Sequence, residues 1–224
     1  MQQLSKKTNI KEIFSSIQGE GLYVGQKHLF IRFCRCNLAC NYCDTDFSAE
    51  NSKEYSIDEL YEEIKNLNCD AISFTGGEPL MEKDFLVDFL KKYKTKLNKK
   101  IYLETNGTMY ENLAQVIDYI DIVSMDIKSE SSTKQKNRFN DNEKFIQIAH
   151  KKELFIKVVF DNNISDEEIK NIVKLAKKFK VLIVLQPKMP IETDLAMINV
   201  FDKFYDLYNN IRLIPQMHKF LNLA

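Results

Sequence analysis

The chain has 224 residues, 44% of them hydrophobic, and its 32 Lys plus Arg balance 32 Asp plus Glu to a formal net charge of zero. That balance argues against non-specific nucleic-acid binding, which draws its affinity from a basic excess. No apolar run approaches the roughly 18 residues of a membrane span, and Met1–Ile10 is polar and basic rather than a hydrophobic signal. The expectation is a cytoplasmic protein without nucleic-acid or membrane partners.

Apolar, β-rich runs begin with Ile10–Ile17 and Leu29–Phe33, which have no helix between them and should pair as an added hairpin or edge. Helical periodicity and strand-like runs then alternate along the chain: helix Ile57–Leu67, strand Ala71–Phe74, helix Leu80–Tyr93 and strand Lys100–Leu103. They continue with helix Met109–Asp118, strand Ile120–Ser124, helix Asp141–Lys151 and strand Leu154–Val159. Helix Asp166–Phe179, strand Val181–Leu185, helix Asp194–Tyr208 and strand Ile211–Ile214 complete the series. Ser165 and Glu168 have capping-box spacing and fix one helix start. No linker or repeat divides the chain, so residues 1–224 read as a single domain. Alternating strands and helices predict an α/β fold with a largely parallel sheet, a partial (β/α) TIM-like barrel. The lysines between Lys91 and Lys100 read as a solvated helix end.

Polar motifs follow the strands: the cysteine loop after Phe33, Thr75–Pro79, Glu104–Gly107, Asp126–Lys128 and Gln186–Lys188. In a parallel α/β sheet the carboxyl ends share one face, which is where active sites form. Three of the five cysteines, Cys36, Cys40 and Cys43, have the spacing C-x3-C-x2-C. In a reducing compartment such clustering points to metal or redox chemistry. Thiolates hold iron–sulfur clusters, and three of them leave one iron of a cubane open for another ligand. The residues alone also allow a zinc site completed by a distant His or by Cys34 or Cys69, or buried inert thiols. Cys34 and Cys69 read as packing residues at strand ends, and His28 and His150 as structural or surface.

The cysteine loop, an apolar strand and Gly76-Gly77-Glu78-Pro79 together resemble the radical S-adenosylmethionine (SAM) superfamily. The segments Ile13–Gly21, Phe30–Phe33, Cys43-Asp44-Thr45 and Gln216–Leu221 are similar, in order, to the 7-carboxy-7-deazaguanine synthase family. The family usually has a small residue, mostly Gly, directly before the first cluster cysteine, where this chain has Arg35, a departure that bears on the local turn geometry.

The resemblance implies a radical SAM-type partial barrel with a [4Fe-4S] cluster on Cys36, Cys40 and Cys43, and SAM as cofactor. It implies a 5′-deoxyadenosyl radical, ring contraction of 6-carboxy-5,6,7,8-tetrahydropterin and loss of ammonia, in queuosine or other 7-deazapurine biosynthesis. It assigns SAM to Gly77, Glu78, Asp126, Ile127, Lys128, Gln186, Pro187 and Lys188. Substrate falls to Ile17, Gln18, Gly19, Glu20, Arg32, Thr75, His218 and the terminal carboxylate of Ala224, with Mg²⁺ on Thr45. No residue is singled out as a catalytic acid or base. A homodimer and a flavodoxin or ferredoxin reductant are the implied partners. The alternatives are another radical SAM enzyme such as a glycyl-radical activase, which lacks the Gln18–Gly21 and Gln216–Leu221 segments, or a non-catalytic metal-binding module.

Overall fold

The computed structural model describes residues 6–41, 43, 48–188 and 194–221. Strands β1 (Lys7–Ile17) and β2 (Lys27–Phe33) form the expected antiparallel hairpin, joined through a 3₁₀ turn at Gly21–Tyr23. Phe14 and Phe30, cross-strand partners, stack with ring centroids 5.1 Å apart. Short β3 (Lys53–Ser56) pairs antiparallel with β1 and was not foreseen, because Lys-Glu-Tyr-Ser carries little apolar pattern. It leads into α1 (Ile57–Ile64), whose start is fixed by a capping box between Ser56 and Glu59.

From there each strand returns parallel to its predecessor. The order is β4 (Ala71–Gly76), α2 (Lys83–Leu97), β5 (Lys100–Thr105), α3 (Tyr110–Val116) and β6 (Ile122–Asp126). Next come α4 (Glu130–Thr133), α5 (Phe139–Ala149), β7 (Glu153–Phe160), α6 (Asp166–Phe179) and β8 (Leu182–Pro187). Helix α7 (Asp194–Leu207), β9 (Ile211–Leu213) and α8 (Met217–Leu221) finish the fold. The sheet has nine strands in the order β3-β1-β2-β4-β5-β6-β7-β8-β9, with β3 and β9 as its edges, so the partial barrel stays open.

The helix expected from Leu80 instead begins at Lys83 and runs on to Leu97. Pro79 opens a 3₁₀ turn first, and the Glu78 side chain accepts from Leu80 N to close it. The short helices α4 and α8 carry too few residues to show a helical period and were likewise not foreseen.

Alternation along the strands divides the sheet. Ile31, Phe33, Ile72, Phe74, Leu103, Val123, Met125, Ile156, Val158 and Leu185 face outward into one large core under the helices. The opposite residues face inward. At the amino-terminal half of that inner face Tyr102, Phe155, Ile122 and Val184 pack with Leu22 and Tyr23 into a second, smaller core. The 3₁₀ turn therefore plugs one half of the barrel's mouthward face and leaves the carboxyl half free for polar groups. No helix among the described residues is long and apolar enough to cross a membrane.

Candidate active site

A cavity of about 600 Å³ opens at the carboxyl ends of the strands. It is lined by Phe14 and Ile17–Glu20 from β1 and its turn, Phe30 and Arg32 from β2, and Cys36, Leu38, Cys40 and Cys43 from the cysteine loop. Thr75–Gly77, Glu104–Asn106, Ser124, Asp126, Lys128, Lys157, Val159 and Lys188 line it from β4 to β8, and Gln216, His218 and Lys219 close it from the end of the chain.

Two glycines set how closely these segments approach. A Cβ on Gly77 would lie 1.7 Å from the Arg35 carbonyl oxygen, so the β4 loop and the cysteine loop pack backbone to backbone. A Cβ on Gly19 would meet His218 at 2.6 Å, which is what brings α8 against the first hairpin; Met217 N also donates to Gly19 O at 2.9 Å. Arg35, the residue before the first clustered cysteine, takes a left-handed backbone, φ 64°, a conformation that favours Gly. Its guanidinium is held by Glu82, so the turn survives the departure.

One hydrogen-bonded set joins the hairpin to β4 and β5. Gln18 Nε2 donates to Glu104 Oε1 at 2.8 Å, Thr75 Oγ1 donates to Glu104 Oε2 at 2.7 Å, and Glu20 N donates to Gln18 Oε1 at 3.0 Å. A second, charged set runs across the cavity. Lys157 pairs with Glu20 and, at 3.2 Å, with Asp126 Oδ2, which also accepts from Lys128 Nζ at 2.9 Å. Gln216 Nε2 donates to Glu20 Oε1 at 2.8 Å, and His218 Nδ1 lies 3.9 Å from the same oxygen. Burial alone would raise the Glu20 carboxyl, but Lys157 outweighs it and, with Gln216, holds the group at about 2. Burial likewise opposes charge on Lys157, yet Glu20, Asp126 and Glu104 together keep its ammonium well above the ordinary lysine range.

Arg32 reaches the cavity from β2 with its Nε 3.3 Å from Glu12 and its guanidinium carbon 5.3 Å above the Phe14 ring. Glu78 is fully buried but does not line the cavity. Its carboxylate accepts from Asn106 N at 2.8 Å and Thr105 Oγ1 at 2.9 Å, and burial pushes it up to about 7 against those bonds. Ile127 joins the outer core, and Gln186 and Pro187 end β8 beneath the rim, so these three also lie outside the lining. Thr45 and Ala224 lie outside the described residues.

Glu104, Asn106, Ser124, Lys157 and Gln216 belong to the site although no role was assigned to them from sequence. A lysine inside the apolar β7 run was the available signal, because a buried charge needs a partner.

The fold and site are those of a radical SAM protein. The profile of the radical SAM superfamily matches residues 30–194. Curated 7-carboxy-7-deazaguanine synthases are similar over almost the full length. That of Geobacter sulfurreducens is 32% identical across 95% of this chain and 96% of its own, and that of Archaeoglobus fulgidus 30% identical across 97% and 99%. In fold, the crystal structure of QueE from Escherichia coli superposes with a TM-score of 0.69 at 20% identity, covering 95% of each chain. The chain belongs to the 7-carboxy-7-deazaguanine synthase family.

A [4Fe-4S] cluster and SAM are the cofactors of this superfamily, and the residues present fit them. Three thiols line one cavity, and burial pushes the Cys36 and Cys40 thiols up, as it does any unliganded thiol held out of water. Among the described residues no three acidic, His or Cys groups converge on a single ion. A cubane does not require that, since its thiolates ligate different irons. In the cavity's lining, Asp126 Oδ1 is buried with no hydrogen-bond partner among the described residues, a cost that a polar ligand would remove.

Proposed function

We propose that the protein converts 6-carboxy-5,6,7,8-tetrahydropterin to 7-carboxy-7-deazaguanine with loss of ammonia, acting as a radical SAM carbon–nitrogen lyase. The observation that carries this reading is that the cluster thiols and the Gln18–Glu20–Glu104 edge line one cavity of small-molecule size. When bound, the cluster supplies one electron to SAM, whose cleavage provides the hydrogen-abstracting radical.

The chain's own residues bind and orient. Glu20 stays ionised in its half-buried place and so offers acceptors to the N–H groups of a pterin's guanidine-like edge. Glu104 holds Gln18 and Thr75 in fixed rotamers, so the edge that meets the ring is set before substrate arrives. Arg32 presents a planar fork to a carboxylate or ring carbonyl. Asp126 and Lys128 line the opposite side with the SAM-facing strand ends, together with Gly77 and Lys188. His218 and Gln216 stand over Glu20, and the Gln216 amide fixes one of its oxygens. Mg²⁺ belongs to this reading through Thr45, and a terminal carboxylate through Ala224.

The proposal includes action as one domain, delivery of electrons by a flavodoxin- or ferredoxin-like carrier, and a homodimer. Support for the dimer is the exposed apolar side of α7, where Leu195, Ile198 and Tyr205 stand in solvent and Phe201 stacks on Tyr205.

Anaerobic reconstitution with iron and sulfide, followed by reductant, SAM, Mg²⁺ and the pterin, is expected to yield 7-carboxy-7-deazaguanine by mass. Cys40→Ala should abolish both the cluster absorbance and the product. Formation of 5′-deoxyadenosine without deazaguanine would leave the radical class standing and remove the substrate.

A further inference from the structure

Lys157 sits on the inner face of β7, 8% exposed, between the carboxylates of Asp126, its register partner on β6, and of Glu20, from the turn after β1. Glu20 follows the first hairpin strand and Asp126 ends β6, so this one ammonium ties two separate segments together. Asp126 has a second cation in Lys128 at 2.9 Å. Glu20 is less well provided: Gln216 is neutral, and His218 stands 3.9 Å away.

We infer that Lys157 is a positioning residue whose one ammonium holds Glu20, on the pterin side, to Asp126, on the SAM side, and so couples the two subsites. The inference rests on the assignment of those sides under the proposed function. A buried and a half-buried carboxylate flanking one ammonium repel each other once that ammonium is lost, and both must then relax or take up protons. The loss falls harder on Glu20, because Asp126 retains Lys128. The groups facing Glu20 are Lys157 from β7 and Gln216 and His218 from the chain's last helical segment, while Asp126 and Glu104 act on it through Lys157. With Lys157 gone, burial dominates and the Glu20 carboxyl rises. Its ionised form, and the binding that depends on it, is then lost at a higher pH as acid is added.

The test uses the full, cluster-reconstituted chain and measures equilibrium binding of SAM and of 6-carboxytetrahydropterin separately, between pH 5 and 8. Lys157→Gln should weaken pterin binding about tenfold or more and SAM binding about threefold, a coupling of ordinary size for groups in one buried network. Wild type, with Glu20 held at about 2, should show no acid limb from that group in this range, whereas Lys157→Gln should lose pterin affinity toward pH 5, a change that a merely structural residue would not produce. Lys157→Arg, which keeps the charge, should recover most of both affinities. A folded Lys157→Gln protein with both affinities within about twofold of wild type, on the same threshold, and no loss of pterin affinity toward pH 5 overturns the inference. Should that variant not fold, Glu20→Gln serves: it should weaken SAM binding across the cavity, and unchanged SAM affinity overturns the coupling. Wild-type protein that binds SAM but not the pterin sinks the functional reading and this inference with it. Wild type that binds both, with Lys157→Gln indifferent, sinks the role of Lys157 alone.

Discussion

The same strands present two faces of opposite character. Outward, Phe33, Phe74, Leu103, Met125 and Val158 meet helices and are fully buried hydrocarbon. Inward, one residue along, Arg32, Thr75, Glu104, Ser124, Asp126 and Lys157 meet a cavity and one another. The outer face is satisfied by packing alone. The inner face holds buried charge, and some of its polar atoms, Asp126 Oδ1 and the Gln186 amide, have no partner among the described residues. Stability and function are thus carried by alternate residues of one backbone, and mutation should separate them.

The largest effect belongs to the outer face. Phe74→Ala should cost about 3–5 kcal/mol of stability by emptying a fully packed position, read as a fall in the urea midpoint. Its inner-face counterpart, Glu104→Leu, should cost about 1–3 kcal/mol, since buried Gln18 and half-buried Thr75 lose the acceptor they share, yet remove measurable pterin turnover. Equal losses of stability in both variants would break the division between faces.

Next is Glu78, at the rim where the faces meet. Burial raises its carboxyl from 4.5 to about 7 in the folded protein. Below pH 4.5 both states hold the proton and the group is neutral in its effect. As pH rises from there, the unfolded chain releases the proton first, so stability falls until about pH 7, by on the order of 3 kcal/mol. Glu78→Gln should flatten that slope, checked by denaturation midpoints at pH 5 and pH 8. A slope identical to wild type would count against a buried, proton-holding Glu78.

The smallest effect is at Arg35. Replacing it by Gly relieves a left-handed backbone while giving up an exposed ion pair with Glu82, for a net gain of up to about 1 kcal/mol. A lower melting temperature in Arg35→Gly would show that the guanidinium matters more to the loop than φ does.

The two faces were not equally legible in the sequence. The outer face announced itself as short apolar runs between helical periods, and those runs fixed the strands and their order of appearance. The cysteine spacing and the loops after each strand pointed to the cavity's rim. What stayed hidden depends on distant partners. Lys157 looked like an interruption in an apolar strand, and its meaning lies in Glu20, 137 positions away in the chain. Glu78 stood in a motif that invited a cofactor contact, whereas its carboxylate braces Thr105 and Asn106. Strand β3 escaped because an exposed edge needs no hydrophobic pattern.

The contact between Gln216 and Glu20 joins positions 196 residues apart. During synthesis the outer core can begin to form as soon as successive strand–helix units leave the ribosome, but the pocket lacks its cover until the segment holding Gln216 and His218 has emerged. The order of translation therefore imposes an order on the pocket: a nascent chain builds its scaffold first and gains the contact over Glu20 only when this later segment has followed.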